Sequence, residues 1–485
     1  MMALAVSAAT PVIILAGGAV ASFALGRASR RWGGDASAGS AIAFLALAFL
    51  ALVALHAAEG SEFRGAGEAT LRADGLGVFL GLVGTGLGLA VAVYSFAYMR
   101  EERNRPTYAA LLLLLVAGTS GIGLAGDLFN LYVMFELMAI PSFALVAFHR
   151  ERAEAVEAGM KYIVMSGAGS LLALLGIGLV YLGAGTLDLA ALPQAAMPRD
   201  LAVLAAGLLV AGFGVKAAIV PMHTWLPDAH AAAPSGISAI LSGIVIQTAL
   251  VAMVRALAVF GVGATAVASY GLLLAFFAVL TMTVGNLVAM HQRDLKRLLA
   301  YSSVAQMGYI LLGLGVGLEF GLTVALVGGL FHVLSHALLK GGAFLSAGVL
   351  QRAYGTRDLA ALRGAGRAVP AAGFTFALFA LGLAGVPPTA GFLSKLLIAT
   401  GTAQAGTLGV FLVIALIANS VLSLAYYVPA VTGLLAGGGS PPRVRPSVSL
   451  LLPLLILAGL VILFGVWPGL ALAVLTPAAR VLGGG

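Results

Sequence analysis

The 485-residue chain contains no cysteine. No disulfide, thiolate metal site or Cys-ligated iron–sulfur cluster can be built from it alone, so any redox centre belongs to a partner. Charge is scarce too: Asp, Glu, Lys and Arg make up 9% of the residues, against about a quarter in soluble domains. That is too little to clothe a water-facing surface and excludes a soluble globular protein. What is present instead is 61% hydrophobic residues, a mean hydropathy of +1.08 and 65 glycines, about twice the usual glycine share. This is the composition of an integral membrane protein with closely approaching, partly broken helices.

A helix crosses the hydrocarbon core in about twenty apolar residues, and a barrel would need alternating polar positions that this chain does not have. Apolar runs between polar breaks predict an all-α polytopic membrane protein with about fourteen spans. They lie near 4–26, 40–57, 75–98, 108–125, 128–148, 160–183, 201–222, 233–260, 266–290, 300–317, 320–350, 368–400, 406–433 and 447–475. The longest connection, 58–74, is too short for a soluble domain.

The formal charge of +8 is a loop property rather than a sign of nucleic-acid binding. Arg27, Arg30, Arg31, Arg100, Arg103, Arg105, Arg150, Arg152, Arg293, Lys296, Arg297, Arg352, Arg357, Arg363, Arg367, Arg443 and Arg445 fall in connections on one side, against Arg64, Arg72, Arg199 and Arg480 on the other. By the positive-inside rule the basic side is cytoplasmic, which places the chain in the cell membrane with both termini outside. The first run carries its basic flank after the apolar stretch, so it reads as a span rather than a signal peptide.

Only five lysines occur: Lys161, Lys216, Lys296, Lys340 and Lys395. All but Lys296 sit in or beside apolar runs. Arg keeps its proton in proteins, whereas a buried Lys can release one. Charge inside the bilayer costs about 2.5–3.5 kcal/mol per residue on insertion scales, so several such residues imply an internal polar path. Snorkelling from helix ends or fixed ion pairing is the competing reading, strongest for Lys161.

Glu136 lies nine residues beyond Asp127 in a predicted span, roughly 14 Å deep at ~1.5 Å per residue. Near a Lys it would ionise and hold that Lys charged; a purely structural salt bridge is the alternative. Asp127 reads as a helix cap. Lys216 precedes Pro221, and Lys395 follows Pro387, Pro388 and Gly391. Both therefore belong to interrupted helices, tolerated only where protein or a water-filled cavity satisfies the freed backbone. His332, His336 and Lys340 recur every four residues on one helix face and read as a proton wire. A zinc pair lacks a third ligand, and interhelix hydrogen bonding is the ordinary competitor. The turn His223–His230 reads equally as an interfacial aromatic anchor or a proton entrance.

Hydropathy divides the chain into an N-terminal three-helix region (1–107), two five-span blocks (108–260 and 266–433) and a C-terminal helix (434–485). The fourth span of each block carries a Lys beside a Pro break, the pattern of inverted repeats with discontinuous helices.

These residues resemble the antiporter-like membrane subunits of respiratory complex I, Mrp-type cation/proton antiporters and membrane-bound hydrogenases. The resemblance covers roughly 75–435. It rests on Phe135-Glu136, Gly214-Val-Lys216 through Trp225-Leu-Pro-Asp-Ala-His230, Lys296 through Gly308, Phe331-His332 through Lys340, and Gly385-Val-Pro-Pro through Lys395. It implies fourteen helices with two inverted five-helix repeats, Glu136 paired with Lys216, Lys395 as the terminal group, and His332, His336 and Lys340 as the connecting axis. Gln247 stands where the family often has Lys or His, and Gln has no proton of its own to give. Asp127 through Val133 looks most like the D-type subunit of Mrp antiporters, whereas Trp225 through His230 looks closer to complex I and hydrogenase subunits.

The expected function is a proton-translocating, non-catalytic subunit without cofactor or bound metal. It would work with other membrane subunits in the lipid bilayer, with protons, or alternatively sodium, as the transported ion. The rivals are a stand-alone cation/proton transporter, an intramembrane metal-dependent enzyme using the His pair, and a lipid-facing scaffold.

Overall fold

Short polar side chains set where several helices begin. Asp74 accepts from Gly77 N at 2.7 Å, Asp127 from Asn130 N at 2.6 Å, and Asp294 from Lys296 N and Arg297 N at 2.8 and 3.0 Å, each satisfying amide donors that a first turn leaves unpaired. A computed structural model describes residues 6–28, 33–58, 62–64, 70–261, 270–438 and 441–483. Arg30, Arg31 and the side chain of Arg64, counted above among the loop cations, lie outside the described residues.

The chain opens with α1 (Thr10–Ala28) and α2 (Gly33–Ala57), followed by a small antiparallel hairpin, β1 (Glu62–Arg64) and β2 (Thr70–Arg72), with Glu62 opposite Arg72. Next come α3 (Gly75–Tyr98), α4 (Arg105–Leu124), α5 (Leu128–Val146), α6 (Ala153–Ala184) and α7 (Arg199–Lys216). The short α8 (Trp225–Ala232) leads into α9 (Ser235–Ile240), which runs through a π segment at Leu241–Val245 into α10 (Ile246–Ala258). The second half holds α11 (Tyr270–Ala289), α12 (Leu295–Phe320), α13 (Thr323–Tyr354), α14 (Ala365–Ala368), α15 (Pro370–Ala384), α16 (Ala390–Ala403) and α17 (Gly406–Leu434). The chain ends in α18 (Val448–Val466) and α19 (Gly469–Gly483).

Among the described residues twelve helices are long and apolar enough to cross a membrane, α9–α10 counting as one. The other two expected spans are the interrupted pairs α7/α8 and α15/α16. The run expected over 201–222 stops as a helix at Lys216, and the one over 368–400 is split between Ala384 and Ala390. Pro lacks an amide donor and pushes its predecessor out of the helical region. The run expected over 447–475 is likewise two helices, parted at Trp467-Pro468, while α2 and α6 start seven residues earlier than hydropathy suggested.

Burial sorts the helices. All of the apolar window in α9–α10 is buried and 94% of that in α12, with 83% in α4 and α13, against 28% in α17 and α18. The interior helices are also those that carry Gln247, Gln306, His332, His336 and Lys340.

Candidate functional site

Glu136 is the ninth residue of α5 and is half-buried. It makes no direct ion pair with Lys216. α6 stands between them: the Ser170 hydroxyl donates to Glu136 Oε1, and one turn earlier Ser166 Oγ accepts from Lys216 Nζ at 3.0 Å. Residues four apart share a helix face, so one face of α6 serves both charges. The expected Glu136–Lys216 contact is thus replaced by two separate serine contacts on one face of α6.

Lys216 is the last residue of α7 and only 1% exposed. Past it Ala218 takes a left-handed conformation, φ 54°. The backbone groups freed by the break find partners: Trp225 Nε1 donates to Val215 O at 2.8 Å, and Val220 N donates to Thr281 Oγ1 of α11 at 3.1 Å. Trp225 also stacks on Tyr162 with ring centroids 3.8 Å apart. This corrects the reading of His223–His230 as an interfacial anchor. Trp225 and His230 are both fully buried, and the His230 ring lies against Phe344 at 4.7 Å.

Lys296 also departs from expectation. Grouped by sequence with the solvated loop cations, it is 2% exposed, and its Nζ donates to Ala233 O at 2.5 Å. Arg357 donates to Ala231 O and pairs with Asp294 at 3.0 Å. Two cations from the second half of the chain thereby satisfy carbonyls at the C-terminal end of α8, where positive charge is favoured. Lys161 lies at the surface, with Glu157 at 2.7 Å and Asp228 at 3.0 Å; Asp228 also reaches Arg297 at 3.0 Å.

On α13, His332, His336 and Lys340 are completely buried, but their partners diverge. His332 meets Gln306 Oε1 at 2.9 Å and Ser394 Oγ at 2.8 Å; His336 meets Gln247 Oε1 at 3.1 Å. Lys340 donates to Leu299 O at 2.7 Å and to Ser302. The two imidazole centroids are 6.3 Å apart. The α13 face therefore feeds several separate polar clusters rather than one unbroken run of direct hydrogen bonds. Gln247 follows the π segment and donates to Gly243 O within it.

Lys395, on the second turn of α16, reaches back across the break to Leu383 O at 2.9 Å and Ala384 O at 3.2 Å. Gln306 Nε2 donates to the same Leu383 O at 3.1 Å. Lys395, Gln306, His332 and Ser394 therefore form one connected cluster around the second break.

Sequence reasoning missed Ser166, Ser170, Ser302, Gln306 and Ser394. Their signal was spacing: Ser166 and Ser170 follow Tyr162 at successive intervals of four, Ser302 and Gln306 share a four-residue interval, and Ser394 adjoins Lys395. It also passed over Arg255 of α10, which is buried and pairs with Asp74 at 2.5 Å. Among the described residues no group of three or more His, Asp or Glu side chains is placed to hold a metal ion. Lys216, Gln247, His332, His336, Lys340 and Lys395 are each no more than 5% exposed, so none of them faces lipid.

The family described as NADH:quinone oxidoreductase/Mrp antiporter, TM, matches residues 125–423. The chain is 37% identical to NADH-quinone oxidoreductase subunit N of Desulforudis audaxviator, over 74% of this chain and 71% of that one. It is 34% identical to F(420)H(2) dehydrogenase subunit N of Methanosarcina mazei, over 85% of each. Its fold superposes on a chain in the structure of the membrane-bound sulfane sulfur reductase, an archaeal respiratory membrane complex, with TM-score 0.89 and 29% identity over 98% of this chain and 97% of that one.

Proposed function

Since the chain belongs to the NADH:quinone oxidoreductase/Mrp antiporter transmembrane family, we propose that it is a proton-translocating, antiporter-like subunit of a multisubunit membrane complex and that Glu136, Lys216, Gln247, His332, His336, Lys340 and Lys395 carry the proton path. The observation that carries this reading is the inward placement of all the titratable members but Glu136, held by hydrogen bonds at a depth where charge is costly. Similarity to subunit N of quinone- and F(420)H(2)-linked oxidoreductases favours a redox-driven complex. Redox chemistry would then belong to partner subunits, consistent with a chain that has no cysteine.

The mechanism is electrostatic. With Glu136 ionised, its field across the Ser170/Ser166 face of α6 favours a charged Lys216; when a partner-driven change withdraws that field, the proton on Lys216 becomes easier to release. It passes toward Lys340, then through His336 and His332 to Lys395. Gln247 takes part by orienting its neighbours, since it cannot titrate. Transfer between clusters requires side-chain rotation or transient water. The blocks 108–260 and 266–433 act as inverted repeats, supported by a Lys at the break in the fourth span of each. The excess of basic residues in alternate connections favours a cytoplasmic location for those loops and outward termini.

The test is proton translocation by the assembled complex in inside-out vesicles carrying Glu136→Gln or Lys340→Ala. Each variant is expected to lower translocation by roughly tenfold or more, with the complex still assembled. Unchanged translocation in both would leave a scaffold role.

A further inference from the structure

An ammonium carries three N–H donors, yet Lys216 Nζ has one hydrogen-bond acceptor, Ser166 Oγ. Three aromatic rings also stand close to it. Its nitrogen lies 4.4 Å from the ring centroid of Phe143, 4.7 Å from Tyr162 and 5.5 Å from Phe135. All three are within the ~6 Å over which a ring face attracts a cation, an attraction strongest where water is excluded.

The rings are fixed by one another and by the helix break. Phe143 packs edge-on to Tyr162 at 4.6 Å, and Phe135 edge-on to Phe213 at 5.1 Å. Tyr162 is tied to Ser142 at 3.1 Å and covered by the indole of Trp225, whose plane is nearly parallel to its own at 2°. The same indole holds Val215 O, one residue before Lys216. Trp225 of α8 therefore sets both the end of α7 and the plane of Tyr162. Among titratable groups on the packed helices, Glu136 and Tyr162 face Lys216; Lys161 is engaged by Glu157 and Asp228, and Arg255 by Asp74.

We propose that Phe135, Phe143 and Tyr162 form an aromatic cage that holds the protonated form of Lys216, with Trp225 as the residue that positions it. The cage supplies a second hold on that proton, independent of Glu136. A displacement of α8 that moves Trp225 off Tyr162 loosens the cage, which gives the broken helix a direct means of discharging Lys216. This inference rests on the transport reading for its meaning, but the cage can be tested without it.

The measurement is the titration of the Lys216 amine by 15N NMR in the lysine-labelled complex, its signal assigned by its loss in Lys216→Ala. Phe143→Leu keeps an apolar side chain and removes a ring face; Phe143→Tyr keeps the ring. The expected result is a midpoint lower by about half to one pH unit in Phe143→Leu and close to the wild type in Phe143→Tyr. Trp225→Leu should lower it in the same direction. The alkaline limb of proton translocation should move with the midpoint. Equal midpoints in wild type and Phe143→Leu, or equal displacement by Leu and Tyr, would overturn the cage. A displaced midpoint with translocation insensitive to Lys216→Ala would keep the cage and remove the transport reading.

Discussion

The two broken helices use lysine in opposite ways. Lys216 ends α7 and turns away from its break into a setting of one serine and three rings, with a carboxylate one serine pair away. Lys395 lies beyond its break and turns back onto it, donating to two carbonyls that α15 leaves free. Helical side chains tilt toward the N-terminus of their own helix, so placing the lysine before or after the break decides which surroundings it meets. The first lysine is held by side chains of two other helices, α5 and α6. The second is held by the backbone of its own broken span, with one ring, Tyr309, 4.2 Å from its nitrogen. In the proposed mechanism the first site is the one that the Glu136 charge switches, and the second receives the proton at a fixed place.

The largest expected effect separates these roles. Lys395→Ala should lower translocation by roughly tenfold or more and also lower the thermal midpoint of the complex, because the buried Ala384 O loses its donor, at about 1–3 kcal/mol, while Leu383 O keeps Gln306. Lys216→Ala strands no backbone group, so its thermal midpoint should fall less; a fall as large as that of Lys395→Ala, by calorimetry, would erase the distinction.

Next in size is Gln306→Leu, which takes a partner from both His332 and Leu383 O. Translocation should fall several-fold, with no such loss for an apolar exchange at the exposed Ile140. Ser170→Ala should lower translocation about two- to threefold, a net cost of about 0.5 kcal/mol, because water can replace the lost hydroxyl at the half-buried Glu136. An effect as large as that of Glu136→Gln would mean that the serine is itself a proton carrier rather than a hydrogen-bond partner.

The smallest effect concerns the backbone of the first break. Ala218 holds a left-handed φ of 54°, where the second break uses Gly385 at 96°. Ala218→Gly should raise the thermal midpoint slightly, the relief of about 1–2 kcal/mol being partly offset by the added freedom of the unfolded chain. A lowered midpoint would show that the Ala218 methyl is needed for packing.

The spans, both breaks and the place of Glu136 midway along α5 were legible in the sequence because hydropathy and proline act locally. So were the lysines of the two broken spans, since charge inside an apolar run is conspicuous. The serines were not: Ser is common in membrane helices, and whether Ser166 faces Lys216 or lipid depends on how α6 is rotated against α7. Lys296 was misplaced because its neighbours Arg293 and Arg297 are loop-like, while its partner Ala233, just after α8, comes 63 residues earlier. The rings around Lys216 come from two other helices, α5 and α6, and no spacing rule brings them together. Trp225 looked like an interface anchor for the same reason. Its burial follows from stacking on Tyr162, a contact visible only once α6 and α8 are docked.

The most direct test is proton flux through the assembled complex with Lys216→Ala, measured in inside-out vesicles alongside the complex's driving reaction. Translocation should fall by at least about tenfold in an intact, fully assembled complex. Proton flux at the wild-type level would rule out Lys216 as the switched charge.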